Sequence, residues 1–194
     1  MRKEHKTPIN HGNVNKLILP STSKVFSISD NHWGHTNIIK YCNRPFSSVE
    51  EMNEVMISKW NSVVSDTDII IHVGDFALCK KEEIIEIGKR LNGIKYLVLG
   101  NHDRAKIDVY KESGFLRVFD TGKVLVEYGE KRFFFSHRPL FSTVYNCQNQ
   151  YNASNCEKWY FGHTHHNNPD SMTSGFHVNL CVEQIDYTPV RIFS

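Results

Sequence analysis

Apolar residues recur along this chain in short runs, and each run stops at a polar cluster. Residues 25–29 are β-like and end at Asp30. Residues 68–73 carry Ile69, Ile70, Ile71 and Val73 and end at Gly74-Asp75, and residues 94–99 end at Gly100. Runs of this length, bounded by turn residues, predict buried strands. Between them the period changes. Val49, Met52, Val55, Met56, Trp60 and Val63 recur near helical spacing, and Ser47 with Glu50 makes a capping-box pattern ahead of them. A second helix is expected over 82–91, closed by Asn92-Gly93, and a short one over 105–112. From Phe115 onward the texture turns hairpin-like. The clearest pair is 124–128 with 132–136, joined at Gly129-Glu130. Short strands are expected at 159–162 and 177–181, and 190–193 closes the chain. Leu17, Ile18 and Leu19, stopped by Pro20, suggest an edge strand. Residues 1–13 are polar and expected to be mobile, which leaves 14–194 as one domain. Residues 31–47 form a long polar connection of a kind that is usually functional.

Strand and helix alternate in the first half, and strands dominate the second. That order predicts an α/β domain of two mixed β-sheets packed face to face, with flanking helices. In such architectures ligands bind at the carboxyl ends of the strands, which is where the polar clusters fall.

Composition narrows the picture only a little. The 194 residues are 40% hydrophobic and 23% charged, an ordinary globular balance. With 23 basic and 21 acidic residues, a net charge of +2 gives no argument for nucleic-acid binding. No apolar run reaches membrane-spanning length, and the N-terminus lacks a signal pattern, so a cytoplasmic protein is expected. Five cysteines form no C-x-x-C pair, which favours reduced thiols, although Cys147 and Cys156 flank a polar loop and could pair. The eleven histidines change the picture more, because several stand beside Asp, Asn or Gly at strand ends.

Five clusters carry the candidate chemistry: Asp30-Asn31-His32, Gly74-Asp75, Gly100-Asn101-His102-Asp103, Ser136-His137 and Gly162-His163-Thr164-His165. Any one of them reads equally well as turn or helix-cap chemistry. Five strand ends that each deliver carboxylate, amide or imidazole are harder to explain that way. A mixed nitrogen and oxygen set suits Mn, Fe, Ni, Co or Zn better than Ca or Mg. The absence of a thiolate cluster argues against a closed structural zinc site.

In this order the clusters resemble the calcineurin-like metallophosphoesterase superfamily. The likeness runs from Asp30 to His165. The stretch Asp30 to His35, with Asn43-Arg44-Pro45-Phe46 and the tail from Asn179 to Val190, is similar to a small single-domain branch found in bacteria and phages. The resemblance implies a four-layer sandwich and two divalent metal ions, Mn foremost. It implies one ion on Asp30, His32, Asp75 and His165, and the other on Asp75, Asn101, His137 and His163, with Asp75 bridging. His102 would lie beside the scissile phosphate, oriented by Asp103. Two cations neutralise the phosphate and acidify a water for attack, and a protonated His102 could serve the leaving oxygen. His35 and Arg44 are candidates to grip phosphate oxygens. Arg138, where the S-H-x-P pattern often carries an aromatic, is either a further phosphate donor or solvent-facing.

The leading expectation is therefore a hydrolase of phosphodiesters or phosphomonoesters acting on a small molecule or nucleotide. A narrower alternative is a nucleotide or cyclic-nucleotide phosphodiesterase or nuclease, with Trp33, Tyr41 and Phe46 available to stack a base. A catalytically silent metal-binding scaffold is the alternative outside enzymes. Loops 31–47 and 141–157 are expected to set substrate choice.

Overall fold

The computed structural model describes residues 14–139, 156–167 and 175–193. Segment 1–13, Cys147 and loop 141–157 up to residue 155 lie outside them. In chain order the elements are β1 (Lys16–Leu19), β2 (Val25–Ile28), α1 (Thr36–Tyr41), α2 (Val49–Val63), β3 (Ile69–His72), α3 (Lys81–Arg90) and β4 (Ile94–Val98). There follow α4 (Ile107–Glu112), β5 (Phe115–Phe119), β6 (Lys123–Tyr128), β7 (Lys131–Ser136), β8 (Lys158–Phe161), β9 (His177–Asn179) and β10 (Val190–Phe193).

Ten strands make two five-stranded sheets, ordered β10-β2-β3-β4-β5 and β1-β6-β7-β8-β9. In the first, β2 to β5 run parallel and β10 joins antiparallel to β2. Each parallel step crosses over through a helix, as parallel neighbours require. In the second, β6 and β7 form an antiparallel hairpin, while β1 lies parallel to β6 and β7, β8 and β9 run parallel. Both sheets are mixed, as the sequence predicts.

Alternation along the strands sends side chains to two cores. Val25, Ile69, Ile71 and Phe119 face Leu17, Val124, Val126, Phe133 and Phe135 across the gap between the sheets. The other face of the first sheet, with Phe26, Ile28, Ile70 and Leu97, is covered by Met52, Met56 and Trp60 of α2, Ile84 and Ile87 of α3, and Tyr110 of α4. Strands buried on both faces explain why β3 is a near-continuous apolar run. Trp60 is fully buried, so Trp60→Ala costs about 3–5 kcal/mol by transfer and cavity terms. The outer face of the second sheet carries Leu125, Phe134 and Trp159, packed with Val14, Cys156 and Phe176. No helix covers that face among the described residues, so three of the four expected layers lie within them.

Four local expectations need correction. Ser48, not Ser47, caps α2: its hydroxyl accepts from the Glu51 N–H, and Glu51 reaches back to the Ser47 N–H. The pattern occurs twice in Ser47-Ser48-Val49-Glu50-Glu51, and the backbone uses the later frame. The polar connection 31–47 contains a helix, α1, whose one buried residue, Ile38, is too sparse a signal for periodicity to register. Strand β5 is no hairpin arm, because it pairs parallel to β4 after the α4 crossover. Strands β8 and β9 likewise extend the sheet in parallel.

Candidate metal centre

The carboxyl ends of the two sheets meet, and the five polar clusters converge there. Asp30 and His32 follow β2, Asp75 follows β3, and Asn101 and His102 follow β4. From the other sheet come His137, just after β7, and His163 and His165 after β8. Backbone bonds fix the loops to one another: Asp30 N–H donates to Gly74 O, His32 N–H to Asp75 O, and Gly162 N–H to His137 O, each at 3.0 Å.

Five of these residues hold left-handed backbone: Asp30, His32, Asp75, His163 and His165, with φ between 49° and 71°. This region disfavours side chains bearing a Cβ, and it clusters at functional sites where surrounding structure enforces it. Two motif glycines are explained by contact. A Cβ on Gly100 would collide with the Asp75 carboxylate, and one on Gly162 with Ser29 and Asp30.

Asp30, His32 and His165 form one group of ligand atoms close enough to share an ion, and Asp75, His137 and His163 form another. His32 Nε2 and His165 Nε2 lie 3.9 and 3.8 Å from Asp30 Oδ1. Asp75 Oδ2 stands 3.6 Å from His32 Nε2 and 3.4 Å from His137 Nε2, so one oxygen faces both groups. Asn101 Oδ1 joins the second group, 3.1 Å from His137 Nε2.

Each carboxylate has one oxygen tied down and one presented. Asp30 Oδ2 accepts from the Ser29 hydroxyl, the His163 N–H at 2.9 Å and the Cys181 thiol at 3.3 Å. Asp30 Oδ1 and His32 Nε2 are buried and have no hydrogen-bond partner. Buried polar atoms are normally paired, so two converging orphans fit a cation. Asp75 Oδ1 accepts from the His102 N–H at 2.7 Å, which leaves Oδ2 for the two groups. The imidazoles are oriented in the same way. His137 Nδ1 meets Val73 O at 3.0 Å, and His165 Nδ1 meets Glu183 Oε1 at 3.0 Å, so each turns its Nε2 inward.

The electrostatics of the metal-free cluster follow from burial and crowding. Burial lowers His32 to about 2, against the pull of Asp75. Burial works against the charge on Asp75 too, but hydrogen bonds from His137 and the His102 N–H hold its carboxyl well below the usual range. Burial also opposes a charged His137, yet the Asp75 bond and the nearby Asp30 charge raise it to about 9. His165 rises to about 10 against burial, through Cys42, Glu183 and Asp30.

The remaining expected residues divide. His102 is half-buried, its ring centroid 5.3 Å from that of His32. His35 stands 5.6 Å from His32, ring to ring, and packs against exposed Tyr41. Arg138 is exposed, with Nη2 3.3 Å from Asn101 Oδ1. Arg44 does not face substrate. Its side chain is fully buried, and its guanidinium bonds Glu183 Oε1, Asn31 O, Asp30 O and Met52 Sδ. No donor is left to grip a phosphate. Asp103 does not orient the His102 ring either. Its carboxylate is buried and accepts from the N–H groups of Asp75, Phe76 and Gly100 at 2.8–2.9 Å. Trp33 is fully buried and Phe46 packs edge-on to Tyr187, so of the three proposed stacking aromatics Tyr41 alone is exposed.

Several residues went unread in the sequence. Glu183 links Arg44 to His165. Cys42, His165 and Glu183 also lie close together. Glu183 Oε1 accepts from Arg44 and pairs with His165 Nδ1, which braces the ring, while Glu183 Oε2 is buried without a hydrogen-bond partner among the described residues. His72 Nε2 meets Asn31 Oδ1 at 2.9 Å beneath the Asp30–His32 turn. None of these has a local signal, because their partners are remote in the chain.

Comparison with known proteins places the chain among relatives. The chain is 36% identical over 182 residues to an uncharacterised protein of Methanocaldococcus jannaschii, covering 89% of each. The crystal structure of a protein of unknown function from Aquifex aeolicus superposes with a TM-score of 0.68 at 28% identity, over 87% of this chain and 95% of that one. The model of the calcineurin-like phosphoesterase superfamily domain matches residues 24–180, a span holding Asp30, His32, Asp75, Asn101, His102, His137, His163 and His165. By that match, over most of its length, the chain belongs to the calcineurin-like phosphoesterase superfamily.

Proposed function

We propose that this protein hydrolyses phosphate esters, diester or monoester, at a centre of two divalent transition-metal ions. The observation that supports this reading is the placement of Asp75 Oδ2, 3.6 Å from His32 Nε2 and 3.4 Å from His137 Nε2, between two otherwise separate ligand groups. Asp30, His32, Asp75 and His165 would hold one ion, and Asp75, Asn101, His137 and His163 the other. The nitrogen and oxygen donor set fits Mn, with Fe, Ni, Co or Zn as further possibilities. Bound ions supply positive charge against the phosphate and acidify an attacking water. The protein's own part is orientation. Asp30 and Asp75 each hold one oxygen in hydrogen bonds and aim the other inward. His102 stands at the edge of the cluster with its ring half-buried, placed to hold a proton for the leaving oxygen.

The test is direct. Protein reconstituted with Mn²⁺ should hydrolyse p-nitrophenyl phosphate, bis-p-nitrophenyl phosphate or both. Asp75→Asn should abolish that turnover and lower metal content at both positions, because among the described residues Asp75 Oδ2 alone forms a close pair with an imidazole of each group. Two metals per chain in Asp75→Asn, measured by elemental analysis, would refute the bridging role. A fully loaded native protein that cleaves no ester would refute the activity.

A further inference from the structure

We propose that the cavity beside His102 receives the leaving group of the substrate, and that this leaving group is a nucleotide, a ring system carrying its own phosphate. The proposal rests on the phosphoesterase reading above. The cavity has a volume of about 570 Å³ and lies between the loop after β3, α3 and the segment running from His102 into α4. That volume falls in the range of about 300–1,000 Å³ typical of small-molecule sites. Its three features each restrict the occupant.

The first is its contact with the reaction centre. His102 lines it, and the same ring stands 5.3 Å from His32. A group leaving past His102 enters this space. Hydrolysis forms a P–O bond to the water oxygen and breaks the P–O bond to the leaving oxygen. That oxygen takes a proton by way of His102, and the attacking water gives one up to solvent, from which His102 is replenished, so protons balance. The second is the wall. Ala77, Ile84, Ala105 and Val109 line it, and among the described residues no Ser, Thr, Asn or Gln does. The flat face of a ring suits that wall, where apolar surface is buried on contact.

The third is the rim. Arg104 and Lys106 are exposed, line the cavity and make no ion pair among the described residues. Lys81 and Glu112 face each other at 3.9 Å and offset one another. Asp108 is the remaining rim acid, so the rim keeps net positive charge. A neutral apolar leaving group would have no use for these cations, but one ending in phosphate would.

Three diesters share one reacting phosphate, the 5′-phosphate of thymidine. They are pTpT, TpT and the methyl ester of thymidine 5′-phosphate. Their leaving groups are a nucleotide, a nucleoside and methanol. With Mn²⁺-loaded protein, kcat/KM should fall in that order. The ratio of pTpT to TpT should drop about tenfold in the double variant Arg104→Glu/Lys106→Glu. A second readout needs no turnover. Thymidine 5′-monophosphate, added to metal-free protein in EDTA, should shift the methyl NMR signals of Ile84 and Val109. Inorganic phosphate alone should not, and the double variant should weaken the effect. If no ester turns over but these shifts occur, the catalytic reading fails and the subsite stands. If esters turn over with equal kcat/KM and the nucleotide shifts neither methyl, the subsite is overturned and the catalytic reading stands.

Discussion

The backbone N–H of His102 donates to Asp75 Oδ1 at 2.7 Å, while its ring lines the neighbouring cavity. Backbone and side chain thus serve different partners, and truncating the ring should leave the Asp75 contact in place. His102→Ala is expected to keep its metals and to slow esters with alkoxide leaving groups by about 10²–10⁴-fold, the usual contribution of a positioned acid. Esters of p-nitrophenol, which need little protonation, should lose much less. Loss of metal from this variant would overturn the assignment. His137 and His165 make the centre sensitive to pH. In the metal-free protein they are raised to about 9 and about 10, so at neutral pH each carries a proton where an ion needs a lone pair. Metal binding must expel both. Affinity should therefore rise with pH toward 9 and fall toward acid, by about tenfold per proton per pH unit. Calorimetry in buffers of different ionisation enthalpy should show about two protons released per chain near pH 7. None released would contradict the assignment of these two imidazoles as ligands. At this scale the sequence is legible where a strand end itself displays Asp, His or Asn, and illegible where a role depends on a remote partner. Arg44 looks like a phosphate donor until its partner Glu183, 139 residues away, takes its charge. Asp103 looks like the orienter of His102 because it is adjacent, but a tight turn sends neighbouring side chains apart.

Asp103 acts between elements. Its carboxylate ties the loop after β4 to the loop after β3 through three backbone N–H groups. Burial raises it to about 6, although the Gly100 and Phe76 bonds favour its charge. Asp103→Ala should leave those buried donors unpaired and destabilise the metal-free fold by about 2–4 kcal/mol, read by urea unfolding. A change below about 0.5 kcal/mol, the level of an ordinary surface substitution, would show that the tie is unimportant. The β2 and β3 strands are legible because each is a buried, mainly apolar run stopped by Asp or Gly, and β4 because its apolar end runs into Gly100. The pairing of β5 is not, because the exposed Leu116 and Arg117 interrupt the buried run that marks β2 and β3, and only the α4 crossover decides its direction. Helix α1 escapes notice because a six-residue helix with one buried residue has no periodicity to read.

At the scale of the whole molecule, the centre spans the seam between the sheets. Asp30, His32, Asp75 and Asn101 come from one sheet, and His137, His163 and His165 from the other. Ions held by both would clamp the sheets at one end, as the core between them does along its length. Chelation should therefore lower the unfolding temperature. At metal concentrations about 100 times the dissociation constant, the stabilisation per site is about 2.7 kcal/mol. An unfolding temperature unaffected by Mn²⁺ and EDTA would argue against the clamp. Strand order has a separate consequence for synthesis. Strand β1 pairs with β6, and β2 waits for β10, which emerges from the ribosome after every other described element. His165 and its brace Glu183 also come late, so a nascent chain displays Asp30 and His32 long before it can close around them. A product truncated before β10 would leave β2 with an open edge and the centre without its final tether. Nascent-chain proteolysis should find β2 unprotected until β10 has been translated and has emerged.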